Sequence, residues 1–270
     1  MREHLLSDLV VGIKGAGEMA SGVAWRLWQA NIRRIFMLEI PSPMAVRRQV
    51  SFCEAIYEKK VSVDGVSAVR VESLAEISRA WEQGQLAVAA DPRWTMITQM
   101  HPQIVIDAIL AKMNLGTRLD EASLVIGLGP GFQAGVDVHM VIETNRGHNL
   151  GRVLLDDAAE PNTGIPGDIG GYAQERVLRA PCNGVFTTEK QIGVVVRQDE
   201  LIGTIAGQSV AAGIAGVIRG LLRGGTEVVE GTKLGDIDPR GETGYCATVS
   251  DKALALGGAA LEAILRVYNG

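Results

Sequence analysis

The chain has 270 residues, 47% hydrophobic and 21% charged, enough apolar material for one large core or two modest ones. A formal charge of −5 argues against a nucleic-acid backbone as partner, and aromatic residues at 4% leave few stacking platforms for bases or sugars. Cys53, Cys182 and Cys246 lie far apart without CxxC spacing, which fits reduced thiols better than a disulfide framework or a zinc site. The opening MREHLLSDL mixes acidic and basic residues before a short apolar run, without a signal-peptide pattern, and no apolar stretch is long enough to span a bilayer. A cytoplasmic protein is expected, with neither nucleic acid nor membrane as partner.

In chain order, residues 9–13 predict a buried strand and 19–30 a helix, with Met19, Val23, Leu27 and Trp28 near helical spacing. RRIFMLEI (33–40) predicts a second strand, closed by Pro41 and Pro43. SLAEISRAWEQG (73–84) predicts a helix, with Ser73 as N-cap, Glu76 completing a capping box and Gly84 as the stop. Apolar strands follow at 86–92, 104–109 and 123–131. Strands alternating with helices imply a parallel sheet covered on both faces. After residue 160 the texture changes to EPNTGIPGDIGG, rich in Pro and Gly, and then to short glycine-punctuated strands.

Those strands contain an internal repeat at an offset of 32 residues: Ala180/Ala212, Gly184/Gly216, Val185/Val217, Gly193/Gly225, Val196/Val228, Gly203/Gly235 and Ile205/Ile237. Two such halves resemble a biotinyl/lipoyl barrel-sandwich domain. No lysine occurs between Lys190 and Lys233, so the amine that would carry biotin or lipoate is absent and neither is expected. The expected fold class is therefore α/β. A Rossmann-like nucleotide-binding domain spans 1–160, a β-rich barrel-sandwich domain 161–249 and a C-terminal helix 250–270. That helix is expected to break or start near Gly257-Gly258. Its apolar spacing suggests packing on another domain or on a second subunit, as in a homo-oligomer.

Several constellations could carry chemistry. In Gly15-x-Gly17-x-x-Ala20 the first glycine permits a sharp turn, the second a close pyrophosphate, and the small third residue close helix–strand packing. The helix N-terminus would add free N–H groups and partial positive charge. Glu39 ends the next strand, where an acid would accept ribose hydroxyls, whereas Arg47 and Arg48 would instead favour a 2′-phosphate. The same turn can also stand without a ligand. GLGPGFQAG (127–135) offers Gly127, Gly129 and Gly131 as a second anion loop or as a tight turn.

In VDVHMVIET (136–144), an extended chain would put Asp137, His139 and Glu143 on one face, as a polar pocket wall or a solvated face. At roughly 3.3 Å per residue these three are too far apart for one ion, and no metal site is expected. Asp107, Lys112 and Asn114 sit where a strand ends, as binding or proton-transfer groups or as an ion pair beside a turn. Arg146 and His148 lie in a glycine-flanked loop that is either a substrate clamp or a solvated turn. NTGIPG (162–167) is a candidate lid. No Ser-His-Asp set, Walker lysine or paired cysteines can be argued.

DAILAKMNLGT (107–117), GLGPGFQAGVDVHMVIETNRGHNLGRV (127–153) and NTGIPGDIGGYAQERVLRAP (162–181) resemble the YqeB-type accessory proteins of the selenium-dependent molybdenum hydroxylase system. The resemblance runs from VVGIKGAGEMASG (10–22) to GTKLGDIDPRG (231–241) and the final helix. It implies a maturation factor that binds a nucleotide or molybdopterin-type ligand and meets a molybdenum hydroxylase or its cofactor-insertion machinery. A looser similarity, to XdhC chaperones that bind molybdenum cofactor and pass it on, brings no catalytic motif. The alternative is an NAD(P)-dependent oxidoreductase acting on a small substrate. No catalytic residue stands out, and whether the chain is an enzyme is left open at this point.

Overall fold

The structure, a computed structural model, describes residues 5–269. The chain divides into two compact units. The first gathers Met1–Pro43, Ser51–Asn162 and Val249–Gly270, and the second Met44–Val50 and Thr163–Thr248. The second unit thus borrows a short piece of the N-terminal half, and the C-terminal helix belongs to the first.

The first unit contains β1 (Val10–Lys14), α1 (Glu18–Gln29), β2 (Arg34–Glu39), α2 (Ala55–Glu58), β3 (Lys60–Val63), β4 (Val66–Val71), α3 (Leu74–Glu82), β5 (Leu86–Ala90), α4 (Thr95–Met100), β6 (Ile104–Asp107), β7 (Leu124–Leu128), β8 (Met140–Ile142) and β9 (Val153–Leu154). These nine strands form one sheet in the order β3-β4-β5-β2-β1-β6-β7-β8-β9. From β4 to β8 the neighbours are parallel.

Both edges are antiparallel, β3 against β4 and β8 against β9. The expected Rossmann-like parallel sheet is therefore corrected to a mixed one. The physical reason at one edge is Asp64-Gly65, both with positive φ (45° and 83°), which close a two-residue turn between the paired Val63 and Val66. Such a turn returns the chain antiparallel to itself and leaves no room for a crossover helix.

Near-continuous burial of β1, β2, β6 and β7 follows from coverage on both faces. One face carries Phe36, Leu38, Val105 and Val125 with Ile77 and Ala80 of α3. Ser73 accepts the Glu76 N–H at 3.3 Å as the expected N-cap. The Glu76 carboxylate reaches past it to the Glu72 N–H at 2.8 Å.

The last helix, α5 (Asp251–Tyr268), runs without a break through Gly257-Gly258, contrary to expectation. These glycines do not end it. Gly257 instead lets it approach α1, since a Cβ there would meet the Arg26 Cβ at 2.6 Å and the Gly22 carbonyl at 2.8 Å. A Cβ at Gly22 would likewise meet Ala253 at 2.5 Å. The pairs Gly22/Ala253 and Arg26/Gly257 ascend together, so the two helices are parallel and start at the same end.

The second unit holds β10 (Val177–Arg179), β11 (Gly184–Thr187), β12 (Val195–Val196), β13 (Leu201–Ile205), β14 (Gln208–Ala211), β15 (Gly216–Leu221), β16 (Thr226–Val228) and β17 (Lys233–Asp238). They make two separate four-stranded antiparallel sheets, β10-β17-β15-β12 and β14-β13-β11-β16. This pair of sheets replaces the expected barrel-sandwich assignment. The sequence repeat is visible in it, because moving each strand by one repeat (β10 to β14, β11 to β15, β12 to β16, β13 to β17) turns one sheet order into the other. Each sheet takes two strands from each half, so neither half closes a sheet alone. Gly184 and Gly216 share φ values of 148° and 156°, and Gly193 and Gly225 share 95° and 86°.

Candidate functional site

In an open sheet, loops at the carboxyl ends of the strands diverge where the strand order reverses, and ligands bind there. Here that point lies between β1, whose chain continues to β2 on one side, and β6, which continues to β7 on the other. Lys14 and Asp107 end these two strands as direct partners.

Both are buried, and their charges are answered inside the protein. The Lys14 ammonium donates to Thr117 Oγ1 at 2.7 Å and to Glu121 Oε1 at 2.8 Å, and lies 3.9 Å from the centre of the Trp94 ring. The Thr117 hydroxyl donates to Asp107 Oδ2 at 2.6 Å, and the Ile109 N–H donates to Oδ1 at 3.2 Å. Burial pushes the Lys14 pKa below the ordinary lysine value against the pull of Glu121 and Asp107. Burial raises Asp107 above the usual carboxylate range. This network ties loop 108–121 to the sheet. Asn114 works within the same loop: its Oδ1 accepts the N–H groups of Gly116 and Thr117, and its amide donates to the Thr117 carbonyl.

The first glycine turn stands beside it. Gly15, at φ 90°, has its missing Cβ against the backbone of Ala108 and Ile109 at 3.2–3.3 Å, so a side chain there would be strained and would press on that loop. Ala20 is fully buried inside α1. Gly17 differs. Its φ of −70° suits any residue, and a Cβ there would meet nothing within 4 Å. As N-cap of α1 it faces open space with no side-chain cap.

Glu39 comes to the turn as predicted, but its oxygens accept from the Ala16 N–H and the Ile40 N–H, both at 2.9 Å, so it braces the loop. Arg47 and Arg48 do not join the turn. They belong to the second unit, donating to the carbonyls of Tyr245 and Leu221.

The second glycine loop is a packed turn. Missing Cβ atoms at Gly127, Gly129 and Gly131 would strike Phe132, the Thr144 hydroxyl and the Met113 backbone, each at 2.6 Å. Its glycines allow the close approach of loops 108–114 and 143–151. The polar strand 136–144 does not form, because β8 covers only Met140–Ile142. Asp137 accepts the Gln133 N–H in a turn, and His139 Nδ1 accepts the N–H of Val125, near the start of β7. These two stand at the amino edge of the sheet, whereas Glu143 follows β8 at the carboxyl edge, accepting N–H bonds from Asn145 and Glu160 at 2.6 Å.

Loop 143–151 then meets α5. Arg146 grips Asp251 through two nitrogens at 2.7 and 3.0 Å, and Ser250 donates to Glu18 at 2.9 Å. Glu160 accepts from Asn145 and Asn149, which hold its pKa below the usual carboxylate value. Lys112 donates to Asn162 at 2.8 Å, and His148 is exposed.

The sequence reading missed Lys252, in the first turn of α5. It is partly buried and makes no hydrogen bond or ion pair with the described residues. Burial first, then Arg146 and Lys112, push its pKa below the ordinary lysine value, against the weaker opposite pull of Glu18 and Glu143. The signal was present in SDK (250–252): a cation just after an N-cap opposes the helix dipole and requires a reason. Thr117, Glu121 and Trp94 were missed because only folding brings them to Lys14.

These features define a mixed α/β protein whose sheet carries glycine turns at its carboxyl edge, packed at Gly15, Gly127, Gly129 and Gly131 and open at Gly17. No metal-ligating cluster occurs among the described residues, and none of their helices is long and apolar enough to cross a membrane. No protein-family model matches the chain. It is 46% identical over 266 residues to Uncharacterized protein YqeB of Escherichia coli (strain K12), an alignment covering 98% of this chain and 49% of that protein. The chain spans about half the length of that similar protein.

Among solved structures, "TcdA (CsdL)" is similar at a TM-score of 0.34 and 10% identity, over 98% of this chain and 90% of that one. An aspartoacylase family protein from Mesorhizobium loti is similar at 0.26 and 8% identity, over 78% and 58%. Scores this low do not establish a shared fold.

Proposed function

We propose that this chain is an accessory factor in the maturation of selenium-dependent molybdenum hydroxylases, and that it holds a nucleotide or molybdopterin-type ligand at the carboxyl edge of its nine-stranded sheet. The observation that carries the binding part is Gly17. Neither backbone strain nor packing requires a glycine there, so a side chain is missing where a ligand would approach the start of α1. The pathway rests on the YqeB-type motifs, which continue through the loops that build this edge.

An NAD(P)-dependent oxidoreductase is less well supported. Glu39, its ribose acceptor, already serves the Ala16 and Ile40 N–H groups. The Lys14–Asp107 pair, the best-placed proton-transfer groups, is enclosed by Thr117, Glu121 and Trp94.

A thermal-shift panel of NAD, NADP, ATP, CTP and molybdopterin ligands tests the reading, since a ligand of the folded state raises the melting temperature. A rise with a nucleotide or pterin, abolished by Gly17→Trp in a protein of unchanged ligand-free melting temperature, supports it. No rise with any of them rejects it. Co-purification with a molybdenum hydroxylase tests the maturation role separately.

A further inference from the structure

Residues 109–113 run from one glycine turn to the other. At one end the missing Cβ of Gly15 would stand 3.2 Å from Ile109 Cα. At the other, the missing Cβ of Gly131 would stand 2.6–2.7 Å from the N, Cα and C atoms of Met113, so backbone rests on backbone. Between them the Leu110 side chain comes within 3.5 Å of the missing Cβ of Gly129. The segment therefore fills the space over the second glycine loop, at the point of strand reversal where an open sheet takes its ligand.

The two ends of this segment are fixed and its middle is not. The Ala108 N–H donates to the Lys14 carbonyl at 2.9 Å, and the Ile109 N–H to Asp107 at 3.2 Å. On the far side Asn114 is bonded to Thr117, and Thr117 to Asp107 and Lys14. From Leu110 to Met113 there is neither helix nor strand, and no backbone hydrogen bond among the described residues. Here the Lys112 ammonium donates to Asn162 Oδ1 at 2.8 Å.

Leu110 and Lys112 hold left-handed φ values of 60° and 66°, a conformation that is costly with a Cβ and that gathers at switch regions. Neither residue ends a helix or closes a hairpin, where such values are ordinary. Ala111, Lys112 and Met113 are exposed, so little packing holds this strained backbone down.

We propose that residues 110–113 are an autoinhibitory flap, closed over Gly131 in this structure and displaced when a ligand takes the face of the 127–131 loop. Closed flap and bound ligand exclude each other, because the contact of Met113 with Gly131 leaves no gap between them. Apparent affinity is then the intrinsic affinity scaled by the open fraction. This rests on the ligand-binding reading above and adds its gate. The Lys14–Thr117–Asp107 network keeps its place as the anchor of the flap's base.

A protease cuts a folded chain where a segment opens, at a rate set by the open population. Trypsin digestion of the intact chain under native conditions, with fragments located by mass spectrometry, tests the proposal. The Lys112–Met113 bond is cut faster than the chain unfolds globally, and Lys112→Gln removes that cut. Asn162→Ala speeds it about two- to tenfold at an unchanged melting temperature, as loss of one hydrogen bond does. Saturating ATP or NADP speeds it as well, by displacing the flap. Cleavage at this bond no faster than global unfolding, in wild type and Asn162→Ala alike, overturns the proposal and makes the segment a fixed part of the fold. Cleavage that neither nucleotide accelerates also overturns it. The ligand-binding reading survives both results and falls only if the thermal-shift panel is silent.

Discussion

Two lysines of the first unit invite comparison, Lys14 and Lys252. Both lose hydration, and both have pKa values pushed below the ordinary lysine range by burial. Lys14 is surrounded by a threonine hydroxyl, a carboxylate and an indole face, and no room is left for another partner. Lys252 has none of these among the described residues. A desolvated charge with its partners in place is part of the architecture. One without a hydrogen-bond or ion-pair partner among the described residues is a cost to the fold. The difference separates a lysine whose charge is answered by side chains around it from one whose charge is not.

The largest expected effect breaks the first lysine's environment. Glu121→Leu leaves the buried Lys14 charge without its carboxylate and should destabilise the chain by about 3–5 kcal/mol, measured by urea unfolding. A loss under about 1 kcal/mol would show that Lys14 releases its proton or reaches water instead.

Next comes the helix pair that sets α5 beside α1. Gly257→Val drives a side chain into the Arg26 Cβ and the Gly22 carbonyl. It should cost about 1–3 kcal/mol from overpacking and weaken ligand binding at the same time. Unchanged binding in a destabilised protein would uncouple the crossing from the site.

Lys252→Met should have the opposite sign, a gain of up to about 1 kcal/mol in the ligand-free protein, because a desolvated charge is removed. Thermal melts without ligand check this, and a fall in melting temperature would mean that Lys252 braces the fold.

The smallest effect is a slope. The folded Lys252 pKa lies below its unfolded value, so in that interval the unfolded chain binds more protons and stability rises with pH. Urea midpoints should climb through the alkaline range in wild type more than in Lys252→Met. Equal slopes would assign the rise to Lys14, whose pKa is lowered in the same direction.

Much of the first unit was legible in local pattern. Apolar runs gave β1, β2, β5, β6 and β7, and Ser73 with Glu76 marked the start of α3. The Asp64-Gly65 turn was equally legible and would have predicted the antiparallel edge. The glycine turn at Gly15–Gly17 was found, but sequence could not separate its glycines by role. Gly15 is fixed by φ and by the neighbouring loop, Gly17 by neither. The second glycine loop looked the same in sequence and proved to be packed on all three glycines.

The alternation through Asp137, His139 and Glu143 suggested one face of one strand. The chain instead turns at 133–138, hydrogen-bonding Asp137 and His139 at one edge and carrying Glu143 to the other. Hydrophobic period records only local burial, and a turn without proline leaves it unmarked.

The sequence by itself determined the buried strands, the capped helix α3 and the 32-residue repeat, because each depends on spacing between near neighbours. Only the tertiary structure decided which charges are satisfied. Lys14 meets Thr117 and Glu121 across more than a hundred positions, and Lys252 enters the surroundings of Glu18 only because Gly22 and Gly257 let two distant helices touch. Whether a lysine's charge is answered depends on the partners within a few ångströms, and those are set by packing.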